Sequence, residues 1–169
     1  DMAVLSSAQL DASGNVNVGQ CGGRIPGVGG FINISQGAKR VVFVGTLTAA
    51  RGYAVGTTAT GDAARPMTVP DGGTHKLVSE VEQISFSAAR AVADGKPATY
   101  VTERAVFRLT EDGLQLTEIA PGLDLEKDVL AHMDFRPKIA DTLATMDARC
   151  FRDDPMRLEL PTRPVEEQQ

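Results

Sequence analysis

The residues of this chain that could do chemistry include the glycines of one short stretch. Gly27, Gly29 and Gly30 fall within four positions, and the sequence from Phe31 to Ala38 then repeats apolar and small residues at the spacing of one helical face. Glycine permits positive φ angles and close backbone approach. The first N–H groups of a helix have no internal partner, and the helix dipole favours negative charge there. The stretch therefore predicts an anion site in which these glycines precede a helix.

Two familiar phosphate-binding motifs do not fit these glycines. A dinucleotide-binding G-x-G-x-x-G motif would need its last glycine at Ile32, and a P-loop needs a Gly-Lys-Ser/Thr triplet that the chain lacks. A plain structural turn stays open as the alternative, because glycine turns commonly precede helices. The spacing alone does not decide between that turn and an anion site.

The cysteines and histidines give no pattern that is typical of a metal site or a nucleophile. The chain has two of each, Cys21 and Cys150, His75 and His132, and none stands at metal-ligand spacing from another. No G-x-S-x-G nucleophile motif is present. We therefore predict no metal and no hydrolase chemistry.

The carboxylates and one loop arginine are weak candidates. Glu103 and the pair Glu80 and Glu82 are the most noticeable acids, but a Glu near the end of a strand is usually solvated or ion-paired. Arg24, in the loop before the glycines, is expected to be a solvated surface charge. The chain itself thus offers no convincing nucleophile.

Length and composition fit one globular domain. The chain has 169 residues, of which 42% are hydrophobic and 23% charged, and its net charge is −5. These values are ordinary for a protein with a substantial core. The acidic balance, without a cluster of Lys and Arg, argues against nucleic acid as a partner. No apolar run reaches the roughly 18 residues of a membrane span and no signal peptide is recognised, so we expect no membrane partner and a cytoplasmic location.

A sheet is predicted to position the glycine turn. Residues 41–44 are apolar in succession and predict a buried strand directly behind the turn, and an apolar run that starts at Met2 predicts another strand. Because both runs are apolar on successive residues, we expect Met2–Leu5 and residues 41–44 to be central strands, mainly parallel and covered on both faces. Residues 11–15 have turn composition, so residues 16–18 should return as a hairpin strand.

The rest of the chain predicts an α/β fold with an open, mainly parallel but mixed sheet flanked by helices. Residues 45–73 are predicted to be mostly loop, with short strands near 53–55 and 67–69. Longer strands are predicted at 77–86, 98–102, 105–109 and 114–119, the last two joined by an Asp-Gly turn. Helices are predicted at 87–94, from Asp124 with the buried stripe Leu125, Val129, Leu130 and Met133, and from Pro137 with Ile139, Leu143 and Met146 on one face.

The domain is expected to occupy residues 1–151, with an extended tail at 152–169. Pro155, Pro161 and Pro164 oppose regular structure in that tail, and its last residues are expected to be unpaired.

Several ordered motifs follow one another along the chain. They are GNVNV at 14–18, GVGGFINIS at 27–35, KRVVF at 39–43, VEQISF at 81–86, YVTERAVF at 100–107 and LTEIAPG at 116–122. Together they resemble the motifs of family I coenzyme A transferases. The resemblance reaches to about Phe151 and is closest to the C-terminal part of the β-subunit-like half of the fused acetate, acetoacetate or propionate type.

The resemblance implies the coenzyme A transferase fold and a ping-pong transfer of CoA between a short-chain acyl-CoA and a carboxylic acid. A glutamate attacks the thioester and passes through an acyl-glutamyl anhydride and a glutamyl-CoA thioester. The second glycine of the family's Gly-Gly pair, which provides an oxyanion-stabilising backbone amide, falls on Gly30, and Gly27, Gly29 and Gly30 are expected to bind substrate or CoA. CoA is then a substrate, and no further cofactor is expected.

The chain departs from the family pattern in two places. The nucleophilic glutamate of the family is expected upstream of Asp1, and none of the glutamates present replaces it. The segment from Ala49 to Gly52 also has less glycine than the fused branch. The active site would then need an N-terminal portion or a companion chain, and a homo- or hetero-oligomer is expected. The chain alone is expected to be inactive. A non-catalytic binding or assembly module that retains the fold stays open as the alternative.

The resemblance predicts that the 169-residue chain alone does not transfer CoA, because its nucleophile is expected elsewhere. Incubation of the pure chain with acetyl-CoA and acetoacetate should give no exchange above the rate without protein. Measurable exchange would contradict the expected position of the glutamate.

Overall fold

The computed structural model describes residues 1–70 and 72–159, in which strands and short helices alternate. The strands are β1 Met2–Leu5, β2 Gln9–Asp11, β3 Val16–Asn17, β4 Arg40–Val44, β5 Thr48–Ala49, β6 Ala54–Val55, β7 Met67–Thr68, β8 Thr74–His75, β9 Leu77–Val78, β10 Ala98–Val101, β11 Ala105–Thr110, β12 Gly113–Ile119 and β13 Lys138–Thr145. The helices are α1 Phe31–Gly37, α2 Thr57–Thr60 and α3 Ala88–Ala93, with a π-helical turn Leu125–Val129 and 3-10 turns Leu130–His132 and Ala148–Phe151.

The main sheet has the strand order β1-β4-β10-β11-β12-β13. Strand β4 pairs in parallel with β1 and β10, and β13 pairs in parallel with β12, whereas β10, β11 and β12 form an antiparallel meander. The predicted α/β fold with an open, mixed sheet is confirmed. The two-residue turn between β11 and β12 also lies where the Asp-Gly signal predicts it, with Gly113 at a φ of +97°.

One face of this sheet carries the core. The parallel register places Ala3 beside Val41 and Leu5 beside Phe43, so that these side chains share a face. The ring of Phe43 stacks on Tyr100 at 5.2 Å between centroids and meets the edge of Phe86 at 4.9 Å. Such aromatic pairs add to the free energy gained from burying their area.

The opposite face of β1 and β4 is largely open among the described residues. Val4 is 58% exposed and Val44 is 43% exposed. The prediction that residues 41–44 form a central parallel strand is right. The described residues cover only one of the two faces predicted to be covered, and β1 lies at the edge of the described sheet. Successive side chains of a strand point to opposite faces, and here only the face with Val41 and Phe43 is packed.

The predicted hairpin near the start of the chain forms, but the strand predicted at 77–86 is mostly absent. Strands β2 and β3 pair antiparallel, and β9 joins β2 in parallel to form a separate small sheet. Strand β9 has only two residues because the backbone beyond it bonds to side chains: Glu82 N donates to Gln9 Oε1 at 3.1 Å. Pairing resumes only at Phe86, which bridges to Val16.

The helix predicted from Pro137 is wrong, because these residues form strand β13. Ile139 and Leu143 do pack against the core, so their burial is as predicted although the backbone is not. Pairing with β12 shifts register between Leu116 and Glu118, which bulges the strand. Backbone hydrogen bonds from a neighbouring strand thus outweigh a helical spacing of apolar residues.

The helical segment predicted from Asp124 begins at that residue. The Asp124 side chain accepts a hydrogen bond from Lys127 N at 2.8 Å, as expected of a helix cap, and Val129 and Met133 are buried. The segment is a π-helical turn followed by a 3-10 turn, not an α-helix.

The described part of the segment 45–73, residues 45–70 with 72 and 73, is mostly loop with short strands, as predicted. Strand β6 pairs with β7, and β5 pairs with β8. After the last 3-10 turn, the Asp153 carboxylate accepts hydrogen bonds from Thr57 Oγ1 at 2.6 Å and Thr58 N at 2.8 Å, which ties this part of the chain to α2. The end of the predicted tail, residues 160–169, lies outside the described residues.

One buried hydroxyl joins the small sheet to the main sheet. Tyr100 Oη donates to Gly14 O at 2.6 Å, and Gly14 takes a φ of +94° in the β2–β3 turn. Burial, with the Asp11 carboxylate, raises the pKa of Tyr100, so its hydroxyl keeps the proton that it donates.

We predict that Tyr100→Phe lowers the free energy of unfolding by about 1–3 kcal/mol, because the buried Gly14 carbonyl loses its partner. Equilibrium denaturation in urea of the protein that carries this chain measures the change. An unchanged midpoint would mean that the hydrogen bond contributes nothing.

Candidate active site

The predicted glycine turn leads directly into α1. Gly27 and Gly29 have φ angles of +83° and +52°, where side chains other than glycine are strained. Gly30 is the N-cap residue, and its carbonyl accepts from Ile34 N at 3.0 Å. Gly30 N–H has no acceptor in the part of the chain that the structure describes, and Gly30 is exposed. The turn therefore leaves this donor available to a ligand.

Gly30 itself does not need to be glycine for its backbone angles. Its φ is −85°, whereas Gly27 and Gly29 use the positive φ that glycine permits. A Cβ built on Gly30 would meet only Ile34 Cδ1, at an ordinary 3.5 Å. Among the described residues, the fold would accept an alanine at this position.

The turn lies at the carboxyl edge of the parallel strands. Helix α1 ends directly before β4, and Lys96 Nζ, just before β10, donates to Ser35 O at 2.9 Å, so the C-terminal end of α1 lies at the amino edge of these strands. The N-terminus of α1 is therefore directed toward the opposite, carboxyl edge. Strands β4 and β10 are parallel to β1 and end at the same edge, where Gly45 and Glu103 follow them. Ligands of open α/β sheets bind outside the carboxyl ends of the strands.

A buried arginine organises the loops at this edge. Arg104 is fully buried, and its Nη1 donates to Asp128 O at 2.9 Å. Its Nη2 donates to Thr48 Oγ1 and Tyr53 Oη, both at 3.3 Å, and its Nε donates to Glu103 Oε1 at 3.0 Å. One guanidinium group thus holds the segments that follow β4, β10 and β12.

Glu103 is ion-paired, as expected of a carboxylate near a strand end. Its second oxygen, Oε2, accepts from Leu47 N at 2.9 Å. Both oxygens therefore have partners, and the side chain is only 13% exposed. Glu80 and Glu82 are exposed, and Glu82 Oε1 accepts from Gln9 Nε2 at 2.9 Å. Arg24 is also exposed, as expected.

Sequence reasoning misses two basic residues at this edge, Arg104 and Lys76. Lys76 follows β8, and its Nζ lies 3.0 Å from the position that a Cβ would take on Gly45. Burial lowers the pKa of Lys76, while the Glu103 carboxylate acts in the opposite direction. The burial of a basic side chain leaves no periodic signal in a sequence, so neither residue is predictable from spacing.

The histidines and cysteines are dispersed. His75 Nδ1 lies 2.6 Å from Asp134 Oδ1, and Cys21 and Cys150 are exposed thiols. No group of three His, Cys, Asp or Glu side chains that could hold a metal ion is found within residues 1–70 and 72–159. Over the same ranges, no helix has the length and apolar character needed to cross a membrane.

Comparison with known proteins shows which proteins this chain is similar to. No protein-family model matches the chain. The chain is 46% identical over 162 residues to acetate CoA-transferase YdiF of Escherichia coli O157:H7, an alignment that covers 95% of this chain and 29% of that protein. It is 40% identical over 158 residues to caffeate CoA-transferase of Acetobacterium woodii, covering 90% of this chain and 29% of that protein. The crystal structure of YdiF superposes on 96% of this chain, and 31% of its own, with a TM-score of 0.87.

The chain matches a segment of these coenzyme A transferases. It spans about 29% of the length of the curated relatives it matches. The glutaconate coenzyme A-transferase of Acidaminococcus fermentans, at 16% identity and a TM-score of 0.59, covers 87% of this chain and 53% of its own and shares the fold. The glycine turn, the carboxyl edge and the Arg104 network therefore lie in a chain that matches a segment of coenzyme A transferases.

We predict that Arg104→Met lowers the free energy of unfolding by about 3–5 kcal/mol, because it leaves the partly buried Glu103 carboxylate without its cation. The matched control is Arg90→Met, which removes an exposed arginine that pairs with Asp94 at 2.8 Å. Such a surface pair contributes less than about 1 kcal/mol. Denaturant titration measures both variants, and equal losses would contradict the assigned role of Arg104.

Proposed function

We propose that the complete protein carrying this chain transfers CoA between a short-chain acyl-CoA and a carboxylic acid. The observation that carries the proposal is 46% identity to an acetate CoA-transferase across 95% of the chain. A TM-score of 0.87 to the same relative supports it. The chain is proposed to be the C-terminal part of the β-like half, as the sequence motifs indicate.

The proposed mechanism uses a glutamate that lies outside this chain. Its carboxylate attacks the thioester carbonyl carbon and the C–S bond breaks. The CoA thiolate departs, and an acyl-glutamyl anhydride is formed. The thiolate then attacks the glutamyl carbonyl, forms a glutamyl-CoA thioester and releases the first carboxylic acid. The acceptor acid reverses these steps and leaves as acyl-CoA. YdiF has been crystallised as a thioester complex with CoA, which supports this route.

Gly30 is proposed to donate its backbone N–H to the oxygen that becomes negative when the thioester is attacked. Three observations support this role: the N–H lacks an acceptor among the described residues, Gly30 is exposed, and the turn lies at the carboxyl edge of the sheet. Donors that are already oriented stabilise such an oxyanion without reorganising. Gly27 and Gly29 shape the turn by their positive φ angles and are proposed to let substrate approach the backbone.

The remaining assignments follow from the same proposal. The partners are an acyl-CoA, a short-chain carboxylate and the portion of the transferase that supplies the glutamate, in an assembled oligomer. CoA acts as a substrate, no other cofactor is invoked, and a cytoplasmic location stays a prediction.

In the complete protein incubated with acyl-CoA, mass spectrometry should find CoA attached to a glutamate outside this chain. Absence of both the adduct and CoA exchange would favour a non-catalytic binding module.

We predict that Gly30→Ala in the complete protein lowers turnover by about 10²–10³ with a nearly unchanged melting temperature. The added Cβ is sterically tolerated among the described residues, yet it stands beside the proposed donor. The control is Gly37→Ala at the other end of α1, where an added Cβ meets nothing within 4 Å. Turnover of Gly30→Ala within a few-fold of the parent, or a loss explained by unfolding, would make Gly30 a structural glycine only.

A further inference from the structure

A cleft with a lysine at its wall opens at the carboxyl edge of the sheet. It has a volume of about 410 Å³, which is within the range of small-molecule sites. Its wall combines Ser7 from the segment after β1, Thr46 from the segment after β4, and Cys21 and Gly22 from the loop that leads to the glycine turn. Lys76 completes this wall.

The ammonium group of Lys76 has no hydrogen-bond acceptor among residues 1–70 and 72–159. It approaches the backbone just beyond β4, where a Cβ on Gly45 would stand 3.0 Å from Nζ and 3.8 Å from Ser7 Oγ. Glycine at this position therefore makes room for the ammonium group. A partly buried cation without an acceptor costs free energy, and a bound anion would offset that cost.

The acidic groups near Lys76 are already engaged. Glu103 attracts the ammonium group through space, but its two oxygens accept from Arg104 Nε and Leu47 N. Glu82 accepts from Gln9 Nε2 and from Gly22 N. The Arg104 guanidinium balances the charge of Glu103, so the charge of Lys76 remains without a hydrogen-bonded counterion.

The other titratable groups that face the cleft do not supply this counterion. His75 Nδ1 lies 2.6 Å from Asp134 Oδ1, so that carboxylate is engaged by the imidazole. Cys21 contributes an exposed thiol to the lining. The cleft thus presents the Lys76 ammonium group and the Ser7 hydroxyl. The other polar groups of the lining are engaged, because Thr46 Oγ1 donates to Thr48 O at 2.8 Å and Gly22 N donates to the Glu82 carboxylate at 3.3 Å.

We propose that Lys76 binds an anionic oxygen group of the substrate in this cleft and so acts as a binding residue of the transferase. The proposal rests on the proposed function, because it assigns part of the site of that same reaction. The shared ligand chemistry is an oxyanion group, which the carboxylate of the acceptor acid and the phosphates of CoA both provide. Hydrogen bonds to a charged partner are stronger than neutral ones, which gives Lys76 a measurable share of ligand affinity.

Steady-state kinetics of the complete protein separates the two sources. Lys76→Met should raise the KM for one substrate about ten- to a hundredfold with a smaller change in kcat, and Lys76→Arg should restore part of the affinity. A raised KM for the acid assigns Lys76 to the carboxylate, and a raised KM for the acyl-CoA assigns it to a phosphate. The control is Lys138→Met, because Lys138 is 59% exposed and pairs with exposed Asp112 at 3.4 Å.

Chemical modification tests the site without turnover. Reductive methylation of Lys76, followed by peptide mass spectrometry, should be slowed by acetate or by CoA, compared with chloride of equal ionic strength, and methylation of Lys138 should not. Protection by either anion supports the Lys76 site. A complete protein that shows this protection but does not exchange CoA would refute the proposed function and not the site. Exchange that proceeds in Lys76→Met with unchanged KM values, and no protection by either anion, would overturn the assignment of Lys76.

Discussion

The loops at the carboxyl edge depend on the burial of one charge. Arg104 has no exposed surface, and its guanidinium donates to one carboxylate, one backbone carbonyl and two hydroxyl oxygens. A buried charge is costly unless it is paired and hydrogen-bonded, so the arrangement of these acceptors is tightly constrained. Because the acceptors lie on segments that are distant in sequence, this constraint fixes the edge as a unit.

This constraint also divides the polar groups of the edge into two kinds. Both carboxylate oxygens of Glu103 accept hydrogen bonds from within the protein, so this side chain has a structural role. The N–H of Gly30 and the ammonium group of Lys76 have no acceptor among the described residues. A rigid frame with two unused donors at one edge fits the binding of a substrate whose reacting atoms and charged groups both carry oxygen. The assigned roles of Gly30 and Lys76 remain proposals.

Local physical chemistry accounts for what the sequence predicts well. The glycine turn, α1 and the cap at Asp124 depend on backbone angles and on bonds between near neighbours, and all lie where expected. The prediction of a helix from Pro137 is wrong because the spacing of its apolar residues suits a helix, whereas its backbone pairs with β12 as a strand. Most of the strand predicted at 77–86 does not form because Glu82 N donates a hydrogen bond to the side chain of Gln9, which is distant in sequence. Arg104 and Lys76 acquire their roles from burial, which only the fold defines.

The two edges of the main sheet differ in what they offer to another polypeptide. At one edge the pairing of β13 with β12 breaks register, and a bulged edge strand is a poor template for further pairing. At the other, β1 pairs in continuous register with β4 and leaves Met2 and Val4 more than half exposed. A regular edge with apolar side chains readily accepts another strand. Aggregation of this chain in isolation would therefore proceed through β1, and the bulge of β13 would keep the resulting assemblies from growing at both ends.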